Sequence, residues 1–376
     1  MTKVNRVKQR LTFLLMLCVL ICPFVFRYVG ESELLTSVWG MLLTFIFLML
    51  CTVINFNLVI RQKDWLIFIV TIVLLLISFF INRSQGVVII FLNLCMFLVV
   101  LNNVSFSLKQ VQIMRVSAIL LLCLLISDFR FFWKYGMLWI YDGYDRVNSN
   151  TYGILLLVLY FNVVSLIDLS IKNRILKKIL FIVSTLVAIY YISQSDCRSA
   201  LLSILFLVII VFIEKLNYKK VLFVLVLAGF LVPIIYISLY ETLGNIQFLG
   251  KSFYSGREAV WLNTWELIKN APILGSGTNE KIFIGIGILT ESAHNIYLAF
   301  WKTLGIVPMI MFLWCLLNGK NIHSITPRNL WSKKTFLACM VVSLVETLLN
   351  DPNYNFLFML LLMNVDDDLN VKRRLI

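Results

Sequence analysis

Apolar runs of about twenty residues recur along nearly the whole chain, and that length is what an α-helix needs to cross a hydrocarbon core of roughly 30 Å. Hydrocarbon offers no partners to backbone N–H and C=O groups, so only helices or a closed barrel can cross it. Uninterrupted Leu, Ile, Val and Phe lack the in/out alternation of a barrel strand. The expected fold class is all-α: a polytopic integral membrane protein of about 12 (10–12) transmembrane helices, forming one domain over residues 1–376. Composition agrees, since 61% hydrophobic and 14% charged residues exclude a water-soluble globular fold. The predicted spans are 11–29, 34–60, 65–81, 87–104, 112–127, 149–169, 179–195, 199–213, 221–240, 295–317, 335–349 and 355–364. The last two are short, and Asn350-Asp351-Pro352-Asn353 between them fits a break within a re-entrant pair equally well. Met1 to Arg10 is basic and leads into an apolar segment with no small-residue cleavage site, so it reads as a retained first helix.

The net charge of +14 is explained by topology and not by nucleic acid. With both termini in the cytoplasm, most Lys and Arg fall on inner segments. They cluster at Lys172/Arg174/Lys177/Lys178, Lys215/Lys219/Lys220 and Lys333/Lys334, whereas the outer segments are slightly acidic. The lipid bilayer is therefore an expected partner. Every cysteine except Cys197 falls within an apolar span, where a thiol behaves as a small hydrophobe, so no disulfide framework, metal site or cofactor is expected.

Inner loops are too short for a cytoplasmic catalytic domain, which directs the chemistry to the outer face. There lie a loop rich in Trp and Tyr, 128–148, and a long loop, 241–294, expected to carry part of the active site. Within the long loop, Ser255 and Glu258 form a capping box for a helix that runs to Asn270 and is stopped by Pro272. Arg257, Trp261, Thr264, Trp265 and Ile268 share one face, predicting an amphipathic helix with its indoles among the headgroups. Its N-terminus beside Arg257 suits an anion such as phosphate.

Three more features share that face. Arg198, in Gln194-Ser195-Asp196-Cys197-Arg198-Ser199-Ala200, sits at the outer boundary, either functional or paired with a headgroup or Asp196. Pro272-Ile273-Leu274-Gly275-Ser276-Gly277 permits a tight turn. His294-Asn295 precedes the tenth span, and with His323 on the cytoplasmic side, His294 is the general-base candidate. Glu291 is near enough in sequence to orient its imidazole, and Lys302 and Glu346 are assigned to spans.

The ordered set Arg198-Ser199-Ala200, Ser255-Gly256-Arg257, Pro272-x-x-Gly275-x-Gly277 and His294-Asn295-Ile296-Tyr297-Leu298, followed by Leu304-Gly305-Ile306, resembles the O-antigen polymerase and O-antigen ligase family of bacterial envelope glycosyltransferases. The resemblance is concentrated in residues 194–318, with Asn148-Ser149-Asn150-Thr151-Tyr152-Gly153 similar to the family's Asn-rich lead into a span. It implies a metal-independent inverting transferase on the outer side of the bacterial cytoplasmic membrane, using an undecaprenyl-pyrophosphate-linked oligosaccharide. Carried over, Arg198 and Arg257 hold the pyrophosphate and His294 deprotonates the attacking hydroxyl. Asn295, Asn150, Ser255, Tyr297 and Glu291 are the further substrate-binding candidates. A chain-length regulator and a flippase of the same pathway are the implied protein partners. Asp196-Cys197 departs from the family's pattern and sets a carboxylate beside Arg198. The apolar stretch from Ile282 to Leu289 either dips into the membrane or covers the site. A repeat-unit polymerase is the leading reading, with a ligase delivering glycan to lipid A-core and a lipid-linked oligosaccharide transporter as alternatives.

Overall fold

The computed structural model describes residues 3–29, 33–56, 64–82, 85–127, 139–142, 145–213, 216–243, 247–248, 251–252, 256–277, 282–284, 288–290, 293–326, 329–346 and 355–365. Among them the chain is dominated by helices, joined by three small antiparallel hairpins. Four helices are long and apolar enough to cross a membrane: Leu108–Ser127, Asn150–Ser170, Arg174–Ser193 and Tyr218–Ser238. Beside them stand shorter apolar helices, among them Val88–Asn103, Arg198–Val211 and Ile306–Asn318. Four of the twelve expected spans coincide with these helices to within a few residues.

Helix starts follow local chemistry. Asn173 accepts hydrogen bonds from the amides of Ile175 and Leu176 at the head of Arg174–Ser193, and Asn217 accepts from Lys220 at the head of Tyr218–Ser238. The Arg174 helix then leaves Ile175, Ile179, Ile182, Leu186 and Tyr190 exposed. Such an apolar outer stripe is untenable in water and is the natural surface of a helix in lipid.

The C-terminal region departs from two predicted spans. Helix Leu330–Val342 ends well short of residue 349, and 355–364 folds as helix Asn355–Met359 followed by a single 3-10 turn, Leu360–Leu362. The return segment comes back to the level at which the Leu330 helix began, since Asn329 Nδ2 donates to Asn364 Oδ1 at 2.9 Å. Lys333 and Lys334, expected in a cytoplasmic turn, are both buried. Lys333 Nζ donates to the Leu362 carbonyl (2.6 Å), and Lys334 Nζ to the carbonyls of Val211 (3.0 Å) and Ile213 (2.8 Å). Arg115 Nη2 likewise donates to the Leu360 carbonyl at 2.6 Å. Helix C-termini expose unpaired carbonyls and a partial negative charge, so these cations go where hydrogen bonds and dipole both favour them.

The expected long loop is structured where it is described. It holds the two-residue hairpin strands Gln247–Phe248 and Lys251–Ser252, helix Arg257–Asn270, and a hairpin of Ile282–Ile284 with Ile288–Thr290. The fully buried Ile282 packs in one cluster with Val260, Trp261, Ile268, Ala293 and Leu298.

Candidate functional site

Arg198 and Arg257 are each the first residue of a helix, and His294 stands just before the cap of a third. Each start is shaped by a different device. At Arg198–Val211, Ser195 Oγ donates to the Ile192 carbonyl (2.7 Å) and accepts from the Cys197 amide (3.3 Å), and Asp196 takes the left-handed conformation at φ 51°. Gly153 of helix Ser149–Ser170 lies against this turn, where a Cβ would collide with Ser195 Oγ and Cys197 Cβ. That contact carries the Asn148–Gly153 segment, with half-buried Asn150, up to the Arg198 turn.

The Arg257 helix is capped by Gly256 at φ 77°, with no side-chain cap. The cap therefore falls one residue later than a capping box of Ser255 and Glu258 requires, and Ser255 itself lies outside the described residues. Trp261 is fully buried, its Nε1 donating to the Ala293 carbonyl at 2.8 Å and its ring meeting Tyr236 edge-on at 4.9 Å. Trp265 packs edge-on against Trp301 at 5.5 Å. The indoles thus join this helix to the chain around His294, in place of the headgroup contact expected from amphipathicity. Burial of a Trp with its N–H satisfied is worth more than an interfacial perch.

Pro272-x-x-Gly275-x-Gly277 is a fastener. The Pro272 carbonyl accepts from the Ile306 amide and from Trp301 Nε1, both at 3.0 Å, while Ser276 N donates to Lys302 O (2.6 Å) and Gly277 N to Thr303 O (3.2 Å). Gly275 (φ 77°) and Gly305 (φ 86°) meet backbone to backbone with no room for a Cβ. The end of the Arg257 helix is thereby locked to the end of helix Ile296–Leu304.

At the other end of that helix, Asn295 Oδ1 accepts from the Leu298 amide (3.0 Å), while Nδ2 donates to the carbonyls of Gly229 (2.9 Å) and Leu344 (2.8 Å). Asn295 is fully buried, so the side chain proposed to touch substrate instead ties three segments together beside His294. Tyr297 is buried as well, its ring filling the notch over Gly229 at 5.3 Å from Phe230. His294 is left-handed at φ 47°, and it and Asp196 are the described non-glycine residues with positive φ. Both border this site, where strained backbone is commonly retained for function.

Glu346 joins the parts. Assigned to a span from sequence, it lies in the turn beyond the end of helix Leu330–Val342. Its Oε1 accepts from Arg257 Nη2 at 2.7 Å and its Oε2 faces His294 Nδ1 at 3.3 Å. The side chains of Glu346, Arg257 and His294 are 8%, 16% and 27% exposed. Burial opposes ionisation of Glu346, but the hydrogen bond from His294 and the charge of Arg257 outweigh it and hold the carboxyl below its usual range. A carboxylate at Nδ1 selects the tautomer whose lone pair is on Nε2, the form a general base requires. Arg257 Nε is buried and, among the described residues, has no hydrogen-bond partner. Arg198 is close enough for its charge to act on that of Arg257, with Tyr236 and Asp196 also nearby.

Sequence reasoning missed Glu346 as a member of the site and offered Glu291, which lies outside the described residues. The available signal was an acid in an otherwise apolar stretch, which is a functional candidate by default. One consequence is a pH dependence. Because the folded carboxyl titrates below its unfolded value, the stability it contributes is present at neutral pH and is lost as pH falls through the depressed pKa. Glu346→Gln should lower the unfolding temperature at pH 7 and flatten its decline below about pH 4.5, the ordinary carboxylate range. Parallel pH profiles for the two proteins would contradict this assignment.

Among the described residues no His, Cys, Asp and Glu are grouped to hold a metal ion. Residues 179–313 match the model of the O-antigen ligase family, covering Arg198, Arg257 and His294 but not Glu346. The chain matches no curated protein and no solved structure.

Proposed function

We propose, from the match of residues 179–313 to the O-antigen ligase family, that the chain is a polysaccharide repeat-unit polymerase. The family is one of glycosyltransferase-like membrane enzymes acting on lipid-linked oligosaccharide. The observation that carries the reading is the Glu346 bridge, which sets a candidate base and a phosphate-binding guanidinium on one carboxylate.

In this reading the donor glycan is linked to undecaprenyl pyrophosphate on the outer side of the cytoplasmic membrane. Arg257 and Arg198, at two helix N-termini, neutralise the pyrophosphate. His294 Nε2 takes the proton from an acceptor sugar hydroxyl. The oxygen so freed forms a bond to the anomeric carbon from the face opposite the phosphate, the bond from that carbon to the phosphate oxygen breaks, and undecaprenyl pyrophosphate departs. Configuration inverts. Charge developing on the leaving group meets arginines and helix dipoles already in place, so the step requires no metal. Glu346 stabilises the imidazolium that forms. Residues 241–294 carry part of the active site, and a chain-length regulator and a flippase work beside the enzyme.

The matched family is described as O-antigen ligase, and a ligase delivering glycan to lipid A-core is the alternative reading of the same chemistry. Purified protein in nanodiscs, supplied with only the lipid-linked repeat unit, decides between them. A polymerase yields a ladder of whole-unit multiples on a gel. A ligase yields product only once lipid A-core is added, and absence of transfer to either acceptor would leave the transporter reading.

A further inference from the structure

At the end of the bundle away from Arg257 and His294, a groove of about 720 Å³ runs between the first turns of helix Tyr218–Ser238 and the last turns of helix Ile306–Asn318. Its walls are Phe223, Val224, Ile310, Leu313, Trp314 and Leu317, and its polar groups, Lys219, Lys220 and Asn318, gather at one end. The far end of the Tyr218 helix carries Tyr236, which packs on Trp261 beside the site, so groove and site open towards opposite membrane surfaces.

The lysines stand where a helix disfavours cations. They occupy the first turn, at the positive end of the dipole, and that turn contains no acidic residue. Among the described residues no carboxylate pairs with either. An anion at this point turns an unfavourable arrangement into a favourable one, and the adjoining apolar trough, flanked by an exposed Trp, has the polarity of a lipid: charged at the membrane surface and hydrocarbon below.

We propose that this groove binds an anionic glycerophospholipid in the leaflet opposite the arginine–histidine cluster. Lys219 and Lys220 hold the headgroup phosphate, and one acyl chain lies along Phe223, Leu313 and Leu317 with Trp314 at its side. In the orientation proposed above this is the cytoplasmic leaflet. A second copy of the chain would have to bring carboxylates to the paired lysines. The inference is independent of the transferase reading.

The test uses the full chain in nanodiscs and reads Trp314 as the difference in fluorescence between the natural protein and Trp314→Phe. Acyl-brominated phosphatidylglycerol should quench Trp314 at a mole fraction roughly 25-fold below that of brominated phosphatidylcholine, taking roughly a fivefold gain per lysine near an anionic headgroup. Lys219→Gln/Lys220→Gln should erase the preference, and Lys219→Arg/Lys220→Arg should keep most of it. Equal quenching by the two lipids, or a preference that survives in the double Gln variant, would overturn the proposal. Shielding of Trp314 from both lipids together with a cross-linked dimer would also overturn it, in favour of a second copy.

Discussion

Glycan transfer by His294→Ala should fall by about 10²–10⁴-fold, the range spanned by general-base catalysis, with expression and unfolding temperature close to those of the natural protein. His294 is the most exposed of the three bridged side chains, and its removal leaves Glu346 paired with Arg257. Neither a buried carboxylate without a partner nor a core cavity results. The loss should therefore lie in turnover and not in donor binding, which separates a base from a structural residue. Glu346→Gln supplies the companion measurement. Without its carboxylate the imidazole loses the charge that faces it as it takes the proton, so turnover should fall. Full transfer by His294→Ala, measured as polymer per mole of protein, would remove it from the mechanism.

Arg257 is expected to behave differently because it has two duties. Arg257→Ala removes the guanidinium proposed to bind the pyrophosphate and also leaves Glu346, 8% exposed at its side chain, with only its contact to His294. Breaking a buried ion pair from one side costs about 3–5 kcal/mol, so a large drop in stability should accompany the loss of transfer. The double variant Arg257→Ala/Glu346→Gln separates the two effects. With no carboxylate left to strand, stability should largely return while transfer stays absent, a strongly non-additive pair. Arg257→Lys should retain the fold and still transfer poorly, since a point charge cannot pair with carboxylate and phosphate along two edges as a planar guanidinium does. Normal transfer by the Lys variant would rule out that division of the guanidinium.

The parts of this architecture that follow local rules were legible in the chain. The helix from Arg257 to Asn270 has the end predicted by Pro272, and its inward face, with Trp261, Thr264 and Ile268 buried, matches the stripe read from periodicity. The short C-terminal pieces, Leu330–Val342 and Asn355–Met359, are visible as short apolar runs. Less legible was what each surface meets. An apolar stripe with two indoles has the same sequence pattern whether it faces headgroups or a neighbouring helix, and tertiary contact with Tyr236, Ala293 and Trp301 decides the matter. Lys333 and Lys334 show the same ambiguity: a basic pair beside an apolar run marks a cytoplasmic turn by default, yet here it reaches the carbonyl ends of two other segments. The glycines of the Pro272 motif permit a tight turn, and the backbone they bring close is that of Thr303 and Gly305.

By itself the sequence determined that this is a membrane chain and which arginines and histidine to examine, because span length and helix starts are properties of neighbouring residues. Only the tertiary structure decided that Glu346 joins Arg257 to His294. Its bonds to Arg257 and His294 close over separations of 89 and 52 residues. No periodicity or spacing records such a pairing, since it exists only after the Leu330 helix has ended early and Asn295, the buried Trp261 and the Gly275–Gly305 fastener have set three helix starts around one carboxylate.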